Sequence, residues 1–130
     1  MIDVSCAIIS NEDGDVLVTQ RSAIMRLPLK WEFPGGKVEQ GERAEECLIR
    51  EIREELNVTI QLQKRMEAVV HDYGHQQVRL IPFQAVITAG GMIQLTEHAA
   101  YAWLKVDELA GLDWAEADLP VLRDYLSGRQ

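Results

Sequence analysis

The stretch Gly36-Lys37-Val38-Glu39-Gln40-Gly41-Glu42-Arg43-Ala44-Glu45-Glu46-Cys47-Leu48-Ile49-Arg50-Glu51-Ile52-Arg53-Glu54-Glu55-Leu56-Asn57-Val58 decides the reading of this chain. From Arg43 to Leu56 it holds good helix formers and no Gly or Pro. Asn57 follows, a residue that tolerates the left-handed backbone of a helix end. At about 100° per residue, Ala44, Leu48, Ile49, Ile52 and Leu56 fill one apolar arc. An amphipathic helix places its charged side chains opposite such an arc, and Glu46 and Arg53 obey. Glu51, Glu54 and Glu55 occupy the adjoining arc instead, with Ala44 and Cys47 among them. Each like-charge pair at i,i+3 or i,i+4 costs an isolated helix roughly 0.2–0.5 kcal/mol, and partial burial reduces the screening further. A divalent cation reverses the sign: clustered carboxylate oxygens are what Mg²⁺ or Mn²⁺ selects. The bland reading is a solvated acidic helix paired by Arg43, Arg50 and Arg53. What tips the balance is the segment before it, Gly35 to Glu42. It reads as a glycine-rich loop whose backbone can approach a phosphate near the helix start.

Loop and helix together resemble the Nudix box: Gly, five residues, Glu, seven residues, then Arg-Glu-apolar-X-Glu-Glu-X-Gly-apolar. Here it runs Gly36, Glu42, Arg50-Glu51-Ile52-Arg53-Glu54-Glu55-Leu56, Asn57-Val58, and only the final Gly differs, replaced by Asn57. Trp31-Glu32-Phe33-Pro34-Gly35-Gly36-Lys37, Gln20-Arg21 and Ala117-Asp118-Leu119-Pro120-Val121-Leu122 are similar to the flanks of MutT-type members, among them CTP pyrophosphohydrolases and 8-oxo-dGTP diphosphatases. The resemblance is weakest over residues 59–95.

Working outward, Val4–Ile9 and Val16–Gln20 read as strands about the turn Asn11–Asp15, an opening hairpin. Trp31–Phe33 is a short extended piece broken by Pro34-Gly35-Gly36. Val58–His71 and Gln77–Ile87 read as a second hairpin about Gly74. Gly90-Gly91 is a turn, Met92–Leu95 a short strand and Tyr101–Val106 another strand. Asp107–Ala110 is a helical turn, and Ala115–Leu126 a final helix with Pro120 in its first turn. This order predicts one α+β domain over residues 1–130, a mixed sheet with packed helices. The family resemblance implies the Nudix fold, an α/β/α sandwich.

Composition bounds the partners. The chain has 130 residues, 13 basic against 21 acidic, for a net charge of −8. That balance opposes binding of long nucleic acid, although a metal can still recruit a small anionic nucleotide. No apolar run approaches a membrane span, and the N-terminus lacks the pattern of a signal peptide, so a cytoplasmic location is expected. Cys6 and Cys47 are expected to be free thiols. A monomer and a homodimer are both compatible with the sequence.

The resemblance implies roles. Glu51, Glu54 and Glu55, with the Gly36 carbonyl, would bind Mg²⁺ or Mn²⁺, and Arg50 would orient the glutamates. Glu42 and Glu39 would support the loop. Glu97 is the candidate for the later metal-binding or basic glutamate, with Glu54 its rival as base. Phe33 and Tyr73 would flank the nucleobase, and Asp118 would read its edge. Glu32 and Arg21 would add polar contacts, and Lys37 is either a phosphate contact or a solvated lysine. His71 and His75 read as ordinary turn residues. The reaction implied is hydrolysis of a nucleoside triphosphate, CTP-like or an oxidised purine such as 8-oxo-dGTP, to monophosphate and pyrophosphate. Hydrolysis of another diphosphate such as ADP-ribose is the alternative within enzymes. A catalytically silent nucleotide-binding module is the alternative outside them, and the intact box glutamates argue against it.

Overall fold

The computed structural model describes residues 1–90 and 92–128; Gly91, half of the expected Gly90-Gly91 turn, lies outside the described residues. The strands are β1 (Ile2–Ile9), β2 (Val16–Gln20), β3 (Trp31–Glu32), β4 (Gly35–Lys37), β5 (Thr59–Arg65), β6 (Val69–Asp72), β7 (Gln77–Ala89) and β8 (Ala100–Leu104). The helices are α1 (Ala44–Leu56) and α2 (Leu119–Ser127), with 3₁₀ turns at Val106–Gly111 and Glu116–Asp118. A five-stranded mixed sheet runs β4-β1-β7-β5, with β6 also paired to β7. Only its β1–β7 pair is parallel. A second, antiparallel sheet runs β3-β2-β8.

The alternation of β1 explains why helices lie on both faces. Cys6 and Ile8 point into one core with Val16, Val18, Phe33, Trp114, Val121 and Tyr125. Ala7 and Ile9 point into the other with Leu17, Leu48, Ile52, Leu56, Ile81 and Phe83. In a strand successive side chains face opposite sides, so one apolar run serves α1 and α2 at once. Full burial of Leu48, Ile52 and Leu56 anchors α1 at roughly 1.5–3 kcal/mol per side chain. The α/β/α layering is thus present.

Several expectations need correction. β1 and β2 do not form a ladder: one bridge, Ser10 to Val16, joins them, and beyond the Asn11–Asp15 turn each enters a different sheet. Gly35–Lys37 is a strand rather than a loop, antiparallel to β1 with Ser5 opposite Gly36. Gly35 is required there, because a Cβ would sit 2.0 Å from the Ser5 carbonyl oxygen. Val58–His71 is not one strand but two, β5 and β6, laid end to end along β7. Met92–Leu95 is not a strand. The Gln94 and Thr96 N–H groups instead donate to the Leu56 and Glu55 carbonyls, 3.0 and 3.2 Å, satisfying acceptors that a helix end leaves open. Ile49 is 39% exposed and Cys47 fully buried, so the buried face of α1 is centred nearer the carboxylates than the wheel suggested. Asn57 does take the left-handed conformation, φ 61°.

Candidate active site

Helix α1 lies along β4, Cys47 and Glu51 both reaching Gly36, and the contact is close. A Cβ on Gly36 would come within 2.2 Å of Glu51 Cδ, so the half-buried Glu51 carboxylate rests on glycine backbone. Burial raises the pKa of Glu51, opposed by Arg50. Glu55, one turn on, is pushed up to about 8, first by burial and then by Glu51, Glu32 and Glu97. Its Oε2 is buried without a hydrogen-bond partner.

Arg50 organises this edge. Its Nε and Nη2 form a fork on Glu42, at 2.8 and 3.0 Å. Its Nη1 donates to Glu51 Oε1 at 3.1 Å and Glu54 Oε2 at 3.3 Å. Arg50 holds Glu42 down at about 2, helped by the Glu39 N–H, and that N–H donates to Glu42 Oε1 at 3.1 Å, closing the loop before the helix. Glu54 is turned outward, its side chain 59% exposed. Among the described residues no three His, Cys, Asp or Glu side chains converge into a ready cation cage; Arg50 Nη1 instead holds Glu51 and Glu54. The donor set nevertheless suits a hard divalent ion: an orphaned buried carboxylate oxygen, a second carboxylate beside it and a glycine strand against both. The Gly36 carbonyl also lies 3.5 Å from Cys47 Sγ, which donates to it.

From this edge a cavity of about 460 Å³ runs between the two sheets. Gly36, Lys37, Glu55 and Glu97 line it together with Glu32, Phe33, Tyr73 and Asp118. Asp118 sits at the start of α2, 5% exposed. Burial, then the nearby Glu32, pushes its carboxyl up to about 8, opposed by the Phe33 N–H and Arg21; that N–H donates to Oδ2 at 2.8 Å. Burial thus favours the protonated form of Asp118, which can donate as well as accept. Phe33 is buried against Trp114, ring centroids 4.8 Å apart. Glu32 accepts from Arg21 Nη1 and pairs with His98 Nε2, both at 2.8 Å.

The NUDIX domain profile matches residues 1–125. This chain belongs to the Nudix hydrolase family. It is 38% identical over 136 aligned positions to the CTP pyrophosphohydrolase of Escherichia coli (strain K12), covering 99% of this chain and 94% of that one. It is 30% identical to the 8-oxo-dGTP diphosphatase of the same organism, covering 93% of each. The solution structure of the E. coli ORF135 protein superposes with a TM-score of 0.86 at 32% identity, covering 99% of this chain and 91% of that one. A MutT protein from methicillin-resistant Staphylococcus aureus 252 does so at 0.76 and 39%, covering 98% and 96%.

In this Nudix hydrolase the structure brings Arg21, Glu32, Phe33, Gly36, Lys37, Tyr73, Glu55, Glu97 and Asp118 to one cavity. Glu51 lies against Gly36, while Arg50 and Glu54 stand behind the edge. Lys37 is exposed and makes no ion pair among the described residues. Tyr73 meets the cavity wall with its ring edge-on to His71, 4.4 Å between centroids. His75 contacts Arg26 at 2.6 Å, and His71 faces Glu116 at 3.4 Å. Two residues escaped the sequence reading. Trp114 backs Phe33, and it falls just outside the matching Ala117–Leu122 segment. His98 had a signal: it is a histidine directly after the candidate Glu97. Among the described residues, no helix is long and apolar enough to cross a membrane.

Proposed function

We propose that this Nudix hydrolase is a Mg²⁺-dependent nucleoside triphosphate pyrophosphohydrolase, Mn²⁺ substituting, acting in the cytoplasm as a single domain. Its substrates are CTP-like pyrimidine nucleotides or oxidised purine nucleotides such as 8-oxo-dGTP, cut to monophosphate and pyrophosphate. One observation carries the reading: a single cavity joins Glu55, with its orphaned buried oxygen, to the buried Asp118. A triphosphate occupies one end and a base the other. The activities named for the E. coli relatives, on CTP and on 8-oxo-dGTP, fit such a site.

Glu51 and Glu55, with Glu54, Glu97 and the Gly36 carbonyl, would hold the metal. When bound, the ion polarises the phosphoryl oxygens and lowers the pKa of water. Arg50 keeps Glu51 and Glu54 oriented and stays off the substrate. Glu97, on the cavity wall, takes the proton of the attacking water; Glu54 is engaged by Arg50 and lies off that wall. Lys37 steadies the phosphates. Asp118 donates to or accepts from the base edge, and Phe33 and Tyr73 enclose the ring. The chain is incubated with Mg²⁺ and CTP, dCTP, 5-methyl-dCTP, dGTP and 8-oxo-dGTP, and the products are separated. Monophosphate with pyrophosphate is expected; orthophosphate as the primary product, or full activity in excess EDTA, refutes the proposal.

A further inference from the structure

His98 belongs to the segment that carries Glu97, yet its side chain is 3% exposed. Its Nε2 lies 2.8 Å from Glu32 Oε2. A carboxylate only accepts, so Nε2 carries the proton and donates. The other oxygen, Glu32 Oε1, accepts from Arg21 Nη1 at 2.8 Å. Both ends of Glu32 are therefore committed to protein partners. Arg21 Nε donates to the Arg26 carbonyl, which leaves Arg21 Nη2 without a hydrogen bond among the described residues, in the wall of the cavity. A buried imidazole thus clamps a carboxylate, and the carboxylate aims a guanidinium whose last donor group is open to a ligand acceptor.

We propose that His98 is a positioning residue for nucleotide selectivity, fixing Arg21 through Glu32; this rests on the nucleotide reading above. The backbone around His98 is held without its ring. Gln94 and Thr96 N–H donate to the end of α1, and Ala99 N–H donates to Gln20 at 2.9 Å. Thr96 Oγ1 donates to the Glu54 carbonyl at 2.8 Å. Removing the imidazole therefore leaves the Glu97 backbone anchored while freeing Glu32 and Arg21. The effect falls on affinity and discrimination more than on turnover.

The test compares His98→Ala, His98→Asn and His98→Gln in the full chain. The Gln amide nitrogen reaches the place of imidazole Nε2, and the Asn amide reaches only that of Nδ1. In the nucleotide-free protein, solvent exchange of the Arg21 Nε–H is followed by NMR; it should speed up in His98→Ala and His98→Asn and stay slow in His98→Gln. With Mg²⁺, KM for the preferred nucleotide should rise about tenfold in the first two, as for loss of one charge-assisted bond. Their kcat should stay within about twofold, the preference between CTP and 8-oxo-dGTP should narrow, and His98→Gln should restore the native values. Unchanged Arg21 exchange in His98→Ala overturns the proposal, as does loosened Arg21 with unchanged KM. Equal losses in all three variants, or a fall in kcat alone, also overturn it. Should His98→Ala fail to fold, the contrast between Gln and Asn decides. If the wild type hydrolyses none of the nucleotides, the pyrophosphohydrolase reading falls, and the exchange measurement still decides whether His98 fixes Arg21.

Discussion

Replacing Asp118 by Asn should make the stability of the protein less sensitive to pH, in a defined window. The carboxyl is buried, and its pKa stands at about 8 against an ordinary 3.8. Its folded pKa is raised, so the stability it contributes is fully present below the unfolded value. That stability is lost as pH climbs towards the folded one. Inside that window each pH unit costs about 1.4 kcal/mol, so between about pH 5 and pH 7 wild type loses roughly 3 kcal/mol through this group. The neutral Asn keeps an oxygen for the Phe33 N–H and carries no such slope. Glu55, which also titrates high, is common to both proteins and cancels in the difference. For a chain of this size 1 kcal/mol shifts Tm by about 4 °C. The Tm gap between Asp118→Asn and wild type, read by calorimetry in metal-free buffer, should therefore widen by about 10 °C from about pH 5 to pH 7. A gap that stays constant across that range refutes the claim that Asp118 is held as a neutral buried acid.

Other outcomes follow from the same geometry. Glu55→Gln should lose nearly all turnover while raising the metal-free Tm near neutral pH, because it removes a buried carboxylate with an unpartnered oxygen; a lower Tm would contradict this. Gly36→Ala should push Glu51 aside and weaken Mg²⁺ binding, read by the metal-induced rise in Tm, with the circular-dichroism spectrum unchanged. Ile52→Ala should destabilise by about 2–5 kcal/mol in urea titration, since Ile52 is fully buried between α1 and the sheet. Asp118→Ala should lower kcat/KM for the preferred nucleotide by roughly 10- to 150-fold; equal losses on CTP, dCTP and 8-oxo-dGTP would show that it does not read the base.

The candidate site was legible where chemistry conflicted with folding economy. Three glutamates beside the apolar arc of α1 made no sense as helix design, and Glu51 and Glu55 indeed sit half in the protein. Asn57 disclosed its conformation because few residues tolerate positive φ. The losses came where tertiary pairing outweighed local pattern. Asn11–Asp15 is a good turn, but nothing local says that the strands on either side join different sheets. Gly35–Lys37 carries loop composition, and only the approach of β1 makes it a strand. Met92–Leu95 has strand-like residues, yet its backbone groups are claimed by the end of α1. The place of His98 directly after Glu97 was its one signal, and its role stayed hidden because it rests on Glu32, 66 positions away.

The parting of β1 and β2 after a single bridge gives the molecule a division of labour. The edge that would do the chemistry belongs to β4 and α1, whose residues are tied into the core. The far wall is supplied by the Arg21–Leu27 loop, the Tyr73–Gln76 turn and the entry to α2. Ile24 at the tip of the first of these is 96% exposed, and surface segments of this kind accept insertions and exchanges at small cost to stability. On the proposed reading, substrate choice would be rewritten by editing loops while the hydrolytic edge stayed intact. A swap of residues 22–29 between relatives is accordingly an economical route to altering which base is admitted.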